Sequence, residues 1–274
     1  MTASPRLTQC FQRTRASGHK ALVGFVSLGD YGVDFSRRLL PTLADAGCDV
    51  IELALPFSDP MADGPVLQAS YERALRGAAQ PIDLASLFAL AKDFRSTHPD
   101  TPLVLYSYLN PILQHGMERF GADALAAGID GLIIVDLPVE EASLLEPLAK
   151  LPLDFAQLVA PTTPADRLAK LLTHHQGLVY AIAVAGVTGQ KSADMASLRP
   201  YLDAVRSYTS QPVFVGFGIK TAEQAAALAD TSADAVVVAS ALINSYHQAF
   251  AAGDSVEQAL AKTAAFVTSL KQAI

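Results

Sequence analysis

Tryptophan is absent from the 274 residues, although the chain carries 12 Phe and 8 Tyr. Cysteine is scarce as well. Cys10 and Cys48 stand far apart without C-x-x-C spacing, which excludes a disulfide framework or a zinc ribbon and suits a reducing compartment. Charged residues make up only 17% of the chain, and 20 Lys and Arg are outnumbered by 27 Asp and Glu. A net charge of -7 offers no basic footprint for a phosphate backbone, so nucleic acid is not expected as a partner. Long hydrophobic runs are missing too: stretches such as GLIIV and DAVVVASALI meet Asp, Asn or Pro far short of a membrane span, despite a mean hydropathy of +0.28. The opening MTASPRLTQCFQRTRASGHK has no apolar segment behind its basic residues, so no secretion signal is expected and a cytoplasmic protein is the reading. Histidine shows no ligand spacing, and no metal is expected. Adjacent His174 and His175 close the helix-like run ADRLAKLLTHH, where favourable charge at a helix C-terminus is their expected role.

What is present is apolar: 51% of residues are hydrophobic, enough for a large core and too many for disorder. No stretch turns polar for long enough to act as a linker, so one domain over residues 1–274 is expected. Short β-branched runs alternate with helix-period segments along the chain. The runs are ALVGFV (21–26), DVIELAL (49–55), PLVLYSY (102–108), GLIIVD (131–136), FAQLV (155–159), LVYAIAV (178–184), PVFVGF (212–217) and DAVVVAS (234–240). Helical segments between and after them include VEEASLLEPLAK and, at the end, SVEQALAKTAAFVTSLKQ. This alternation predicts the α/β class and a (β/α)8 TIM barrel, with RLTQCFQRTRASG as an extra N-terminal helix over the barrel's far end. An open dinucleotide-binding sheet would carry G-x-G-x-x-G after its first strand; VSLGDYGVD has none.

In such a barrel, chemistry belongs at the C-terminal ends of the strands. Alternation along the second strand puts Glu52 on the inner face with Val50 and Ala54, where an unpaired carboxylate is costly. No strand offers an inward Lys or Arg to satisfy it, which favours a functional role. The loop that follows, Pro56 to Pro65, holds Asp59 and Asp63. Asp59 reads as a turn or N-cap residue, whereas Asp63 lies far enough along to fold over the mouth. Two carboxylates in unlike surroundings, a buried Glu52 with raised proton affinity and a wetter, ionised Asp63, would supply both an acid and a base near neutral pH. Backbone donors and glycines gather at Gly186-Val187-Thr188-Gly189, Gly216-Phe217-Gly218 and Ala239-Ser240-Ala241, after the last three strands, where barrels hold a phosphate. Phe25, Tyr106, Tyr108, Tyr180 and Phe217 fall near strand ends and could wall a flat ring. Tyr180 alternates with Ile182 and is expected to face inward.

The segments IELALPFSDPMADGPVLQAS, YSYLNPILQHGMERF, GLIIVDLPVEEA, YAIAVAGVTG and VGFGIKTAEQA, in this order over most of the chain, resemble the tryptophan synthase alpha subunit family. PFSDP-x-ADGP carries most of the likeness. The resemblance implies a carbon–carbon lyase that cleaves indole-3-glycerol phosphate to indole and glyceraldehyde 3-phosphate. It implies no cofactor in this chain. The partner is a beta subunit that binds pyridoxal phosphate, in an alpha-beta-beta-alpha complex through which indole is channelled. Carried over by motif, the catalytic acid/base is Glu52, the carboxylate that meets the indole N–H is Asp63, and Tyr180 supports them. The substrate phosphate goes to Gly189, Phe217, Gly218, Ala239 and Ser240; the indole pocket takes in Phe25, Tyr106, Tyr108 and Thr188, the last in a closing loop. A chain without tryptophan can also be made when that amino acid runs short.

The chain departs from the family pattern at several points. Tyr31 and Gly24 stand where prolines are common, Ala239 replaces a glycine, Tyr106 replaces an aliphatic residue, and Val184 with Ala185 replaces a polar stretch. A methyl group at position 239 would crowd a phosphate if the backbone there required positive φ. Three other readings stand beside it: another phospho-sugar barrel enzyme, such as an isomerase or a Schiff-base aldolase, the aldolase disfavoured by the lack of an inward lysine; a stand-alone indole-3-glycerol phosphate lyase; and a weakly catalytic subunit kept to activate its beta partner.

Overall fold

The computed structural model describes residues 3–183, 195–216 and 218–274. Eight parallel strands, β1 (Ala21–Ser27), β2 (Val50–Ala54), β3 (Leu103–Ser107), β4 (Gly131–Ile134), β5 (Asp154–Val159), β6 (Leu178–Ile182), β7 (Val213–Gly216) and β8 (Ala235–Val238), close into a barrel in chain order. Each observed strand lies where a β-branched run predicts one. The helices are α1 (Pro5–Ser17), α2 (Val33–Asp45), α3 (Pro65–Gly77), α4 (Leu84–Thr97), α5 (Leu109–His115), α6 (Met117–Ala126), α7 (Ala165–Leu172), α8 (Met195–Ser207), α9 (Ala222–Ala229), α10 (Ser240–Ala251) and α11 (Val256–Lys271). None among the described residues is long and apolar enough to cross a membrane.

Three elements differ from the sequence expectation. The short helix α5 over Leu109–His115 follows β3 where no helix-period segment is expected. VEEASLLEPLAK forms a 3₁₀ helix over Val139–Leu148, with Pro147 inside it. Proline lacks the N–H that an α-helical turn would use and its ring crowds the preceding turn, so the tighter winding takes over. The third difference is α10, whose first residue, Ser240, is also the last residue of the run DAVVVAS expected as the eighth strand.

The barrel floor is pinned by one device used three times. Asp49, Asp130 and Asp234 each immediately precede a strand, and each accepts an N–H from the strand before: Leu22 at 2.7 Å, Leu103 at 2.9 Å and Val213 at 2.9 Å. Each is also paired with a cation: Lys271 at 2.8 Å for Asp49, Arg95 at 2.7 Å for Asp130, and Arg206 for Asp234. Helix α1 closes this end. Its buried face, Leu7, Cys10, Phe11 and Thr14, repeats at helical spacing, and the Phe11 ring lies 5.5 Å from that of Phe214 on β7. Ser4 ties the helix to the floor by donating its hydroxyl to Asp130 at 2.8 Å and its N–H to Asp154 at 3.3 Å.

His175 corrects another expectation. Its Nε2 lies 3.0 Å from the Phe155 carbonyl and 2.9 Å from that of Leu178. Burial lowers its proton affinity despite these acceptors, so it links backbone segments as a neutral ring and supplies no charge to the end of α7.

At the opposite rim, loop one does depart from the proline pattern. Tyr31 has φ of 59°, which a proline ring cannot adopt. Its ring stacks on Phe250 at 4.3 Å, while Arg73 of α3 and Tyr246 of α10 both hold the neighbouring Asp30. Gly24 has a packing reason: a Cβ there would come within 2.8 Å of Cys48 Sγ.

Candidate active site

Strand register sets the inner layers. Phe25, Glu52, Val104 and Gly131 lie side by side across β1 to β4, and Ser27, Ala54, Tyr106 and Ile133 form the next layer towards the mouth. Glu52 is therefore flanked by the Phe25 ring on one side and the aliphatic Val104 on the other. Its carboxyl is fully buried, and neither oxygen meets a hydrogen-bond partner among the described residues. Desolvation alone pushes its pKa up to about 8, so the group is protonated at neutral pH.

Asp63 arrives from the loop after β2. The turn is held by its own N–H, which donates to the Pro60 carbonyl at 3.0 Å, and by Gln68 of α3, which donates to the Asp63 carbonyl at 2.9 Å. The N-cap of α3 is Gly64 with no side-chain cap, so neither Asp59 nor Asp63 caps that helix. Asp59 is a turn residue: its carbonyl accepts the Met61 N–H at 2.8 Å and its carboxylate accepts the Ser58 hydroxyl at 2.6 Å.

Asp63 is not the wetter carboxylate that the sequence implied; it is fully buried. Phenols take the place of water. Tyr106 donates to Oδ1 at 2.7 Å and Tyr108 to Oδ2 at 2.7 Å. Burial raises the proton affinity of Asp63, and these two donors offset part of that rise, leaving it above the ordinary value. Tyr108 also accepts the Ala62 N–H at 3.0 Å and stacks on Phe57 at 4.7 Å, which fastens the loop to the strand end. Phe25 meets the Tyr106 ring edge-on at 5.3 Å.

Tyr180 stands on β6 in register with Leu158 and Phe214. Gly216 gives it room, since a Cβ there would lie 3.3 Å from the Tyr180 hydroxyl. After burial, the carboxylates of Glu52 and Asp63 contribute most to raising its phenol well above the ordinary range, which puts all three groups in one neighbourhood. Sequence reasoning missed a fourth phenol. Tyr71, on the buried face of α3 with Leu67, Ser70 and Ala74, has a hydroxyl without a partner among the described residues that also feels Asp63 and Glu52. The available signal was a tyrosine on the core face of a helix beginning two residues after Asp63.

Around the rim, Gly218 follows β7 with φ of 69°, a conformation that glycine adopts without strain. Ala239 has φ of −112°, so its methyl group imposes no strain there. Ser240 opens α10, whose first turn holds no acidic residue and whose N-terminus has no side-chain cap, leaving backbone N–H groups available to an anion. Thr188, Gly189 and Phe217 lie outside the described residues.

A buried neutral carboxyl, a buried carboxylate gripped by phenols and an uncapped helix N-terminus thus share one barrel mouth. The family model described as tryptophan synthase alpha chain matches residues 11–274. The chain belongs to the tryptophan synthase alpha chain family. It is 47% identical over 240 residues to the tryptophan synthase alpha chain of Acidiphilium cryptum, covering 87% of this chain and 86% of that one. It is 43% identical over 270 residues to that of Geobacter sulfurreducens, covering 98% of each. Among solved structures, tryptophan synthase subunit alpha from Legionella pneumophila superposes with a TM-score of 0.88 at 36% identity, over 98% of both chains. As a member of this family the chain is a lyase of tryptophan biosynthesis, and an alpha chain implies a beta subunit as partner.

Proposed function

We propose that the barrel mouth cleaves indole-3-glycerol phosphate by a retro-aldol reaction in which Glu52 moves both protons. Protonated Glu52 delivers its proton to C3 of the indole ring, and positive charge develops at the ring nitrogen. Ionised Asp63 meets that charge at the ring N–H, an interaction stronger in the transition state than in the bound substrate. The Glu52 carboxylate then takes the proton of the side-chain hydroxyl as the carbon–carbon bond breaks and its electron pair returns to the ring. Indole and glyceraldehyde 3-phosphate leave, and Glu52 ends in the state in which it began. Substrate, Glu52 and Asp63 account for every proton and electron pair, so the chain needs no cofactor of its own. Pyridoxal phosphate belongs to the beta partner.

The other residues position the substrate. Phe25, Tyr106 and Tyr108 wall the indole with Thr188, and Tyr180 supports Glu52. Gly189, Phe217, Gly218, Ala239 and Ser240 hold the phosphate on backbone donors. The chain works in the cytoplasm in an alpha-beta-beta-alpha complex and passes indole to the beta subunit. The observation that carries the reading is Glu52: a fully buried carboxyl with no partner among the described residues is expensive unless a substrate uses it.

The test is indole release from indole-3-glycerol phosphate by the purified chain, with and without a beta subunit. Indole formation that rises when the partner is added is expected. Turnover with no rise at any partner concentration would make this a stand-alone lyase, and no turnover with strong activation of the beta reaction would make it an activating subunit.

A further inference from the structure

We propose that Tyr106 is a positioning residue of the lyase site: with Tyr108 it grips both oxygens of Asp63 and so fixes that carboxylate's orientation and charge. The inference rests on the role given to Asp63 above. Two phenols two residues apart, Tyr106 on β3 and Tyr108 just past its end, converge on one carboxylate, each at 2.7 Å. Tyr108 uses its hydroxyl twice, because it also receives the Ala62 N–H. Tyr106 has no such second duty among the described residues. Its proton is committed to Asp63, and its ring is braced edge-on by Phe25.

The titratable groups around Asp63 come from four directions: Glu52 on β2, Tyr71 on α3, Tyr106 and Tyr108 at the end of β3, and Tyr180 on β6. None of these is a cation. Burial raises the proton affinity of Asp63, and the two phenols are the groups that oppose it. A carboxylate offers about four lone-pair positions, so one donor on each oxygen still leaves a place for the indole N–H. An aliphatic residue at position 106 would leave a single phenol to perform the whole task.

The phenol deletion Tyr106→Phe keeps the ring and its packing on Phe25 while removing the donor. Losing one hydrogen bond to a buried charge should cost about tenfold in kcat/KM at neutral pH, and the acid limb of the kcat/KM profile should move up by about one pH unit. KM should change by less than about twofold, since the contact acts through the transition state. A residue that only walls the pocket would show the opposite pattern, with Tyr106→Phe normal over the whole pH range and Tyr106→Leu impaired; that result overturns the proposal.

A second measurement does not depend on turnover. The Asp63 carboxyl, assigned in a carbon-13 NMR titration by its loss in Asp63→Asn, should titrate at higher pH in Tyr106→Phe than in the unmodified chain. Tyr106→Met serves the same comparison should the phenylalanine variant fail to fold. An unmoved titration overturns the grip whatever the activity. A chain that makes no indole, yet shows the moved titration, would sink the reading of the reaction and leave the grip standing.

Discussion

The hydroxyl of Tyr108 joins strand to loop, giving its proton to Asp63 at 2.7 Å and taking the Ala62 N–H at 3.0 Å. Tyr108→Phe therefore strands a backbone donor as well as half of a carboxylate. The expected loss is about 2 kcal/mol of stability. Urea unfolding of Tyr108→Phe beside Tyr106→Phe checks this. Equal stability of the two variants would mean that the bond to Ala62 contributes little.

Glu52 carries a stability cost that depends on pH. Its folded pKa of about 8 lies above the ordinary carboxyl value, so the folded chain holds a proton that the unfolded chain releases. Stability from this group is fully present below about pH 4 and is lost progressively as pH rises towards 8. Glu52→Gln cannot titrate. Its melting temperature should match that of the unmodified chain near pH 5 and exceed it by roughly 5 °C at pH 8.5. Indole formation should disappear in the same variant, with binding of glycerol phosphate retained. A calorimetric series across pH decides the first point and an indole assay the second.

Asp63→Asn keeps both phenol contacts possible but removes the charge. Turnover should fall by roughly a hundredfold with KM little changed, as expected when a group acts on charge that develops only in the transition state. Steady-state kinetics provide the check, and a change confined to KM would assign Asp63 to binding alone.

The phosphate rim offers a paired comparison. Gly218 needs its positive φ of 69°, so Gly218→Ala should cost about 1 kcal/mol in stability and raise KM for the phosphorylated substrate. Ala239 does not need such freedom at φ of −112°, and Ala239→Gly should alter KM by less than about twofold. Equal effects of the two changes would count against backbone conformation as the cause.

Much of this was legible in the sequence. The strands could be read because β-branched runs are bounded by Gly, Pro and Asp, and Glu52 could be placed because alternation leaves only two faces. Helix α10 was hidden because it starts on the residue where β8 seemed to end, with no turn residue between. The burial of Asp63 was not legible at all. It is set by Tyr106 and Tyr108, more than forty positions away in the chain, and nothing in the local Pro-Asp pattern announces them. Tyr71 stayed unseen for a related reason: helical spacing marks it as inward but does not say that inward, at this point, means the mouth.

The aspartates at the barrel floor also shape how the molecule comes apart. Each ties the start of one strand to its neighbour and to a cation on a helix, so the amide hydrogens of Leu103 and Val213 should be among the slowest to exchange with solvent. The mouth is tied separately, through Asp63 with Tyr106 and Tyr108 and through Asp136, which accepts the Leu109 N–H at 2.7 Å. Side chains around Glu52 can therefore be altered by mutation with the strand starts at the far end still locked together.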